Sequence, residues 1–174
     1  MHAYHFDSIM IAKAVKSSTD TIITKEDIGF DVKVTWLAIA RMFSPLANDH
    51  GLTVTMGFVL LNISREHGTP ATKIAPLLGM EPRSLTRLIK KLEEDGLVSR
   101  RPDPEDKRSV RIYLTEKGAE QRTTAKQNVE HFNIAVRQSI PADELATFFG
   151  VLEKIHLVIK ETSTIGKQNG KPKS

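Results

Sequence analysis

The sequence predicts a mainly α-helical fold with a small β-hairpin wing, and three observations carry that prediction. Two short helical patterns joined by a tight turn run from Thr69 to Asp95. Two strand-like runs flank a charged, proline-bearing loop between Leu97 and Leu114. Apolar helical stripes lie on either side of this block. Helix, turn, helix and hairpin in that order describe a winged helix-turn-helix, here set between N- and C-terminal dimerisation helices. The expected division is an arm of uncertain order over 1–29, a helical dimerisation region over 30–50 and 115–161, a winged helix-turn-helix domain over 51–114 and a disordered tail over 162–174.

The arm carries Tyr4, Phe6, Ile9, Met10, Ala12 and Val15, enough for a short helix, followed by a polar Ser/Thr run. From Phe30 the apolar residues Val34, Leu37, Ile39, Ala40, Met42 and Phe43 fall on more than one side, with Trp36 the largest, so this helix should be buried from several directions and broken at Pro45. A second helix should start from a Thr53 cap and run through Met56, Val59, Leu60 and Ile63 to His67 and Gly68.

The helix-turn-helix follows. Thr69 is placed to cap its first helix, with Pro70 at the first helical position, Ile74, Leu77 and Leu78 on one face, and Gly79 as the left-handed stop. Pro82 opens the next helix, whose Leu85, Leu88, Ile89 and Leu92 keep the spacing of a single buried face. The opposite face falls to Arg83, Thr86, Arg87, Lys90 and Lys91, with Ser84 at its edge. A solvated face is the plain reading of such a stripe, but the acids Glu93, Glu94 and Asp95 are all held back to the C-terminal end. Cations at a helix N-terminus oppose its dipole, and an anionic partner would offset that cost.

Gly96 should end the helix, and the strand from Leu97 through Arg100 and Arg101 leads to Pro102, which has no N–H for a ladder. Asp103 to Arg108 forms the hairpin tip, where Asp103, Glu105 and Asp106 would repel phosphates unless paired. A pair between Asp106 and Arg108 would splint the tip and aim a guanidinium outward, beside Lys107. On the return strand Val110, Ile112 and Leu114 should point inward and Arg111 and Tyr113 outward. Thr115 then caps a long, mostly polar helix with Ala119, Val129, Phe132, Ala135 and Val136. Beyond Pro141, Leu145, Phe148, Phe149, Leu152, Ile155 and Ile159 form a strong stripe. That stripe is too apolar to stay exposed and too large for one small winged domain to cover, so a two-fold partner is the economical answer.

These residues resemble the multiple-antibiotic-resistance regulator (MarR) family of bacterial winged-helix transcription factors. The likeness is carried by Leu52-Thr53 opening a helix, SLTRLIKKLEEDGLVSR from Ser84, the spacing of Asp103, Asp106 and Arg108, and LTEKG from Leu114, and it covers roughly Val34 to Glu161. The resemblance implies a homodimer with intertwined terminal helices that binds double-stranded DNA at a pseudo-palindromic operator, acting as a repressor relieved by a small-molecule effector. The DNA contacts are then expected from Arg83, Ser84, Thr86, Arg87, Lys90, Lys91, Arg100, Arg101, Lys107 and Arg108, and an effector pocket from Trp36, Ala40, Phe43 and Phe58.

Composition agrees and excludes other classes. The net charge is +4 and the pI about 9.3. Residues 81–111 hold nine Lys/Arg against seven acids, whereas 130–161 hold three against five, so the basic surplus sits in the second helix and hairpin. The absence of cysteine excludes disulfides, thiolate metal sites and cysteine-based redox sensing. No apolar run approaches a membrane span and the N-terminus lacks a secretory pattern, so a cytoplasmic protein is expected. No phosphate-cradling loop, nucleophile set or paired-histidine helix argues for an enzyme, a catalytic site, a cofactor or a resident metal. Two alternatives remain: a metal-responsive regulator of the same fold, using Asp49-His50 and Glu66-His67, and a helical protein-interaction module with no role on DNA.

Overall fold

The computed structural model describes residues 27–106 and 109–168, the last six as backbone only. The chain forms two compact units, 1–45 and 46–174. The expected arm falls almost wholly outside the described residues.

Helix α1, Ile28–Asn48, supplies the first unit and crosses its boundary. It starts two residues before Phe30, because Asp27 caps it: the Phe30 N–H donates to Asp27 Oδ1 at 2.7 Å. It also runs through Pro45 instead of breaking there. Pro45 lies in the last turn, so its missing N–H costs the ladder only its final bonds. Burial from several directions is not observed in the single chain. Ile28, Phe30, Val32, Trp36, Leu37 and Met42 are exposed, and Phe43 alone is buried.

The second unit begins with α2, Val54–Leu61, capped by the Thr53 hydroxyl, which accepts the Met56 N–H at 3.2 Å. This helix stops at Asn62 rather than His67. The Asn62 amide Nδ2 and backbone N–H both turn back to the Phe58 carbonyl, closing the last turn. Thr69 is not a helix cap. Thr69–Pro70 forms a short strand, β1, and the Thr69 hydroxyl ties the preceding turn together, accepting from the Ser64 N–H and donating to the Asn62 carbonyl. The helix-turn-helix is α3, Ala71–Leu77, and α4, Pro82–Glu94, with Gly79 and Gly96 at the positive φ of 59° and 71° that left-handed stops need.

Strands β2, Val98–Pro102, and β3, Val110–Leu114, make the hairpin, and β1 joins its other edge. The wing is therefore part of a three-stranded antiparallel sheet ordered β1-β3-β2, with Thr69 opposite Ile112 and Pro70 opposite Arg111. The core lies between α2, α3, α4 and this sheet. Val59, Leu60, Ile63, Ile74, Leu92 and Ile112 are fully buried there, joined by Leu85 and Ile89. Each such aliphatic side chain contributes about 1.5–3 kcal/mol when removed from water.

Helix α5, Glu116–Ser139, starts at a Thr115 cap that accepts the Gly118 N–H at 3.0 Å, and it packs along α2. Helix α6, Ala142–Gln168, extends into the expected disordered tail. Its sequence offers no proline before Pro172 to end an established helix. Its apolar stripe stays open in part: Leu145 is buried and Leu152 and Ile155 are half-buried, whereas Phe148, Phe149 and Ile159, together with Val151, Leu157 and Val158 beside them, are about half exposed or more.

Candidate nucleic-acid interface

Helix α4 owes its placement to the stripe Leu85, Ile89 and Leu92, which are buried, with Leu88 half-buried. Burying that face turns Arg83, Ser84, Thr86, Arg87, Lys90 and Lys91 outward, and all six are exposed. The helix starts at Pro82 with no side-chain cap and no acid in its first turn. Among the described residues Arg83 and Arg87 have no acidic partner, so two guanidinium groups one turn apart stand at the positive end of the helix dipole. The Thr86 hydroxyl donates back to the Pro82 carbonyl at 2.9 Å, leaving it lone pairs for a further partner.

The C-terminal half of the face is different. Lys90 lies 3.7 Å from Glu94, and Lys91 2.5 Å from Asp95, each one turn on. Arg100 on β2 reaches back to Glu93, giving both Nε, at 2.8 Å, and a terminal nitrogen to one carboxylate oxygen. These bonds hold the Glu93 carboxyl below its ordinary range and raise the Lys91 ammonium and Arg100 guanidinium above theirs. The held-back acids are therefore partners of three of the cations expected on phosphate. Arg101 is exposed, with its guanidinium 4.8 Å from the centre of the Tyr113 ring.

At the hairpin tip Lys107 and Arg108 lie outside the described residues, and the expected pair of Asp106 with Arg108 lies outside them too. Asp103 is an acid that the structure neutralises. Its side chain is only 3% exposed and accepts Arg111 Nε at 3.0 Å, a second Arg111 nitrogen at 3.3 Å and the Glu105 N–H at 2.9 Å. Arg111, expected to face outward by alternation, is 12% exposed. The Arg111 hydrogen bonds, followed by the Glu105 N–H, hold the Asp103 carboxyl below the usual carboxylate range. Sequence reasoning missed this pair because it spans the whole loop; the only signal was an acid and an arginine at the two strand ends.

Trp36, Ala40 and Phe43 share one face of α1 at helical spacing, with Trp36 exposed, Ala40 half-buried and Phe43 buried. Phe58, half-buried, belongs to the second unit. None of the four lines the cavity of about 550 Å³ within the second unit, which is formed by Ala75, Met80, Leu85, Thr86, Arg100 and Val110 among others. Among the described residues no three His, Asp or Glu side chains gather as a metal site. Among the same residues no helix is long and apolar enough to cross a membrane.

The family model described as "MarR family" matches residues 52–110. The HTH-type transcriptional regulator TtmR of Methylorubrum extorquens is 38% identical over 81 residues, 47% of this chain and 42% of the relative, so the chain spans less than half of that protein. SarZ of Staphylococcus haemolyticus, also an HTH-type transcriptional regulator, is 31% identical over 110 residues, 61% of this chain and 75% of the relative. The crystal structure of CouR from Rhodococcus jostii RHA1 bound to p-coumaroyl-CoA superposes with a TM-score of 0.65 at 27% identity, over 75% of this chain and 92% of that one.

Proposed function

The chain belongs to the MarR family of transcriptional regulators, and from that premise we propose that it is a homodimeric repressor that binds a pseudo-palindromic DNA operator and is released by a small-molecule effector. The observation that carries the reading is the cationic start of α4, where Arg83 and Arg87 project, exposed, from a helix that has no acid in its first turn beyond the Glu81 at its N-cap. A helix of this kind fits the major groove, where an arginine can bond the O6 and N7 of one guanine together. Two copies related by a two-fold would read half-sites roughly one helical turn apart. The open stripe of α6 supports a second copy as its cover.

An effector is supported by the CouR structure, which holds p-coumaroyl-CoA. Trp36, Ala40, Phe43 and Phe58 are proposed to line its pocket. Such a ligand regulates only by binding the DNA-competent and incompetent arrangements unequally. The working protein is proposed to be cytoplasmic, with neither membrane nor catalytic role. The test is capture of genomic fragments on the full-length protein, followed by fluorescence anisotropy on the recovered duplex across a salt series. Enrichment of one inverted repeat, with affinity falling linearly as log against log salt, is the expected outcome. Equal recovery of all fragments would sink the reading.

A further inference from the structure

Beyond β1 and the buried Val98 and Ile112, polar side chains at two places tie the hairpin to the rest of the winged domain: Arg100 reaches Glu93 on α4, and Arg111, nearer the tip, reaches the chain before β1. The ladder between β1 and β3 pairs Thr69 with Ile112 and then Pro70 with Arg111. Pro70 has no N–H, so the backbone ladder runs out there. From that register position the Arg111 guanidinium takes over. One terminal nitrogen donates to the His67 carbonyl at 3.2 Å, 44 residues earlier in the chain, while Nε and the other terminal nitrogen donate to Asp103. Gly68 aims that carbonyl: its φ is 61°, and a Cβ on it would come within 2.6 Å of the Ile112 carbonyl oxygen. Asp103 in turn organises the tip, accepting the Glu105 N–H while its own N–H meets the Ser109 carbonyl.

We propose that Arg111 is the positioning residue of the hairpin: shared between the His67 carbonyl and Asp103, its guanidinium sets the angle at which the hairpin leaves the helix-turn-helix, and so what the hairpin reads beside the segment read by α4. The inference rests on the DNA-binding reading above. Arg111 itself touches no DNA in this scheme. Only a planar fork with several N–H donors serves both acceptors at once, so lysine is no substitute. Neutralising Asp103 also removes from the tip a negative charge that would face phosphates.

The test uses the full-length protein and its variants Arg111→Lys, Arg111→Gln and Asp103→Asn. Amide residual dipolar couplings in the DNA-free protein report the orientation of residues 101–111 against α2, α3 and α4. Competition over duplexes randomised at the centre and at the flanks reports what each part reads. All three variants are expected to keep the central base preferences, to lose about tenfold of flank discrimination, the worth of one groove contact, and to show couplings of residues 101–111 that no longer fit the wild-type orientation. Couplings that keep the wild-type orientation in Arg111→Lys and Asp103→Asn would overturn the proposal, as would full rescue by lysine or equal loss at centre and flanks. A wild-type protein that binds no duplex would refute the DNA-binding reading, while the couplings would still decide whether Arg111 orients the hairpin. Should Arg111→Gln fail to fold, Arg111→Lys and Asp103→Asn carry the comparison.

Discussion

Gly118 lies against the backbone of Leu97 so closely that a Cβ on it would come within 1.8 Å of the Leu97 carbonyl oxygen. The first turn of α5 is thereby seated on the chain leaving α4, where the Thr115 hydroxyl donates to the Gly96 carbonyl at 2.7 Å and Lys117 Nζ to the Asp95 carbonyl at 3.1 Å. Glycine to alanine inside a helix ordinarily gains roughly 0.5–1 kcal/mol. Here the sign reverses. Gly118→Ala is expected to lose at least about 2 kcal/mol by overpacking, read by urea denaturation. A neutral result would mean that α5 can slide off Leu97.

Glu93 occupies Arg100, so removing the acid frees a cation for phosphate. Glu93→Gln is expected to raise affinity for all duplexes several-fold and to steepen the salt dependence, because one more phosphate can be neutralised. Lys91→Ala should weaken binding less than its exposed position suggests, since Asp95 already holds that ammonium. Anisotropy across a salt series checks both, and an unchanged slope in Glu93→Gln would remove Arg100 from the phosphate contacts.

Asp103 carries a pH signature. Its folded carboxyl titrates below the ordinary value of 3.8 because Arg111 and the Glu105 N–H bond the charged form. A depressed carboxyl adds stability that is fully present above the unfolded value and is lost as pH falls through the folded one. Arg111 stays charged throughout, and Glu105, 3.8 Å from it, is the other acid facing the pair. Asp103→Asn should therefore be less stable than wild type at neutral pH, with the gap closing in acid below the ordinary carboxylate value. A gap constant with pH in denaturation curves would contradict the pairing.

Arg87 should read the operator. Arg87→Ala is expected to cost about 1–3 kcal/mol on the true site and to relax one base pair in each half-site. Competition over randomised operators measures both effects, and unaltered base preferences would make α4 a support rather than a reader.

The open stripe of α6 predicts assembly. Full-length protein should sediment as a dimer at micromolar concentration, and a chain cut after Ile140 should give monomers or aggregates. A stable full-length monomer would remove the half-site spacing as well.

What the sequence determined by itself is local. Pro82 at the start of α4, the Thr53 and Thr115 caps, the stops at Gly79 and Gly96, and the stripe Leu85, Ile89 and Leu92 were legible because each depends on hydrogen bonds or facing within three or four residues. The outward placement of Arg83 and Arg87 follows from the same periodicity. What only tertiary structure decided involves partners far apart in the chain. Thr69 and Pro70 read as a helix start until β3, some forty residues on, claimed them as a strand. Arg111 read as an outward residue until the His67 carbonyl and Asp103 drew it in. The partner of Arg100 was set only when the turn at Gly96 brought its strand back to Glu93. Periodicity assigns a side chain to one face of its own element; whether that face meets water or a neighbour depends on which distant element packs there, and the spacing of residues does not encode it.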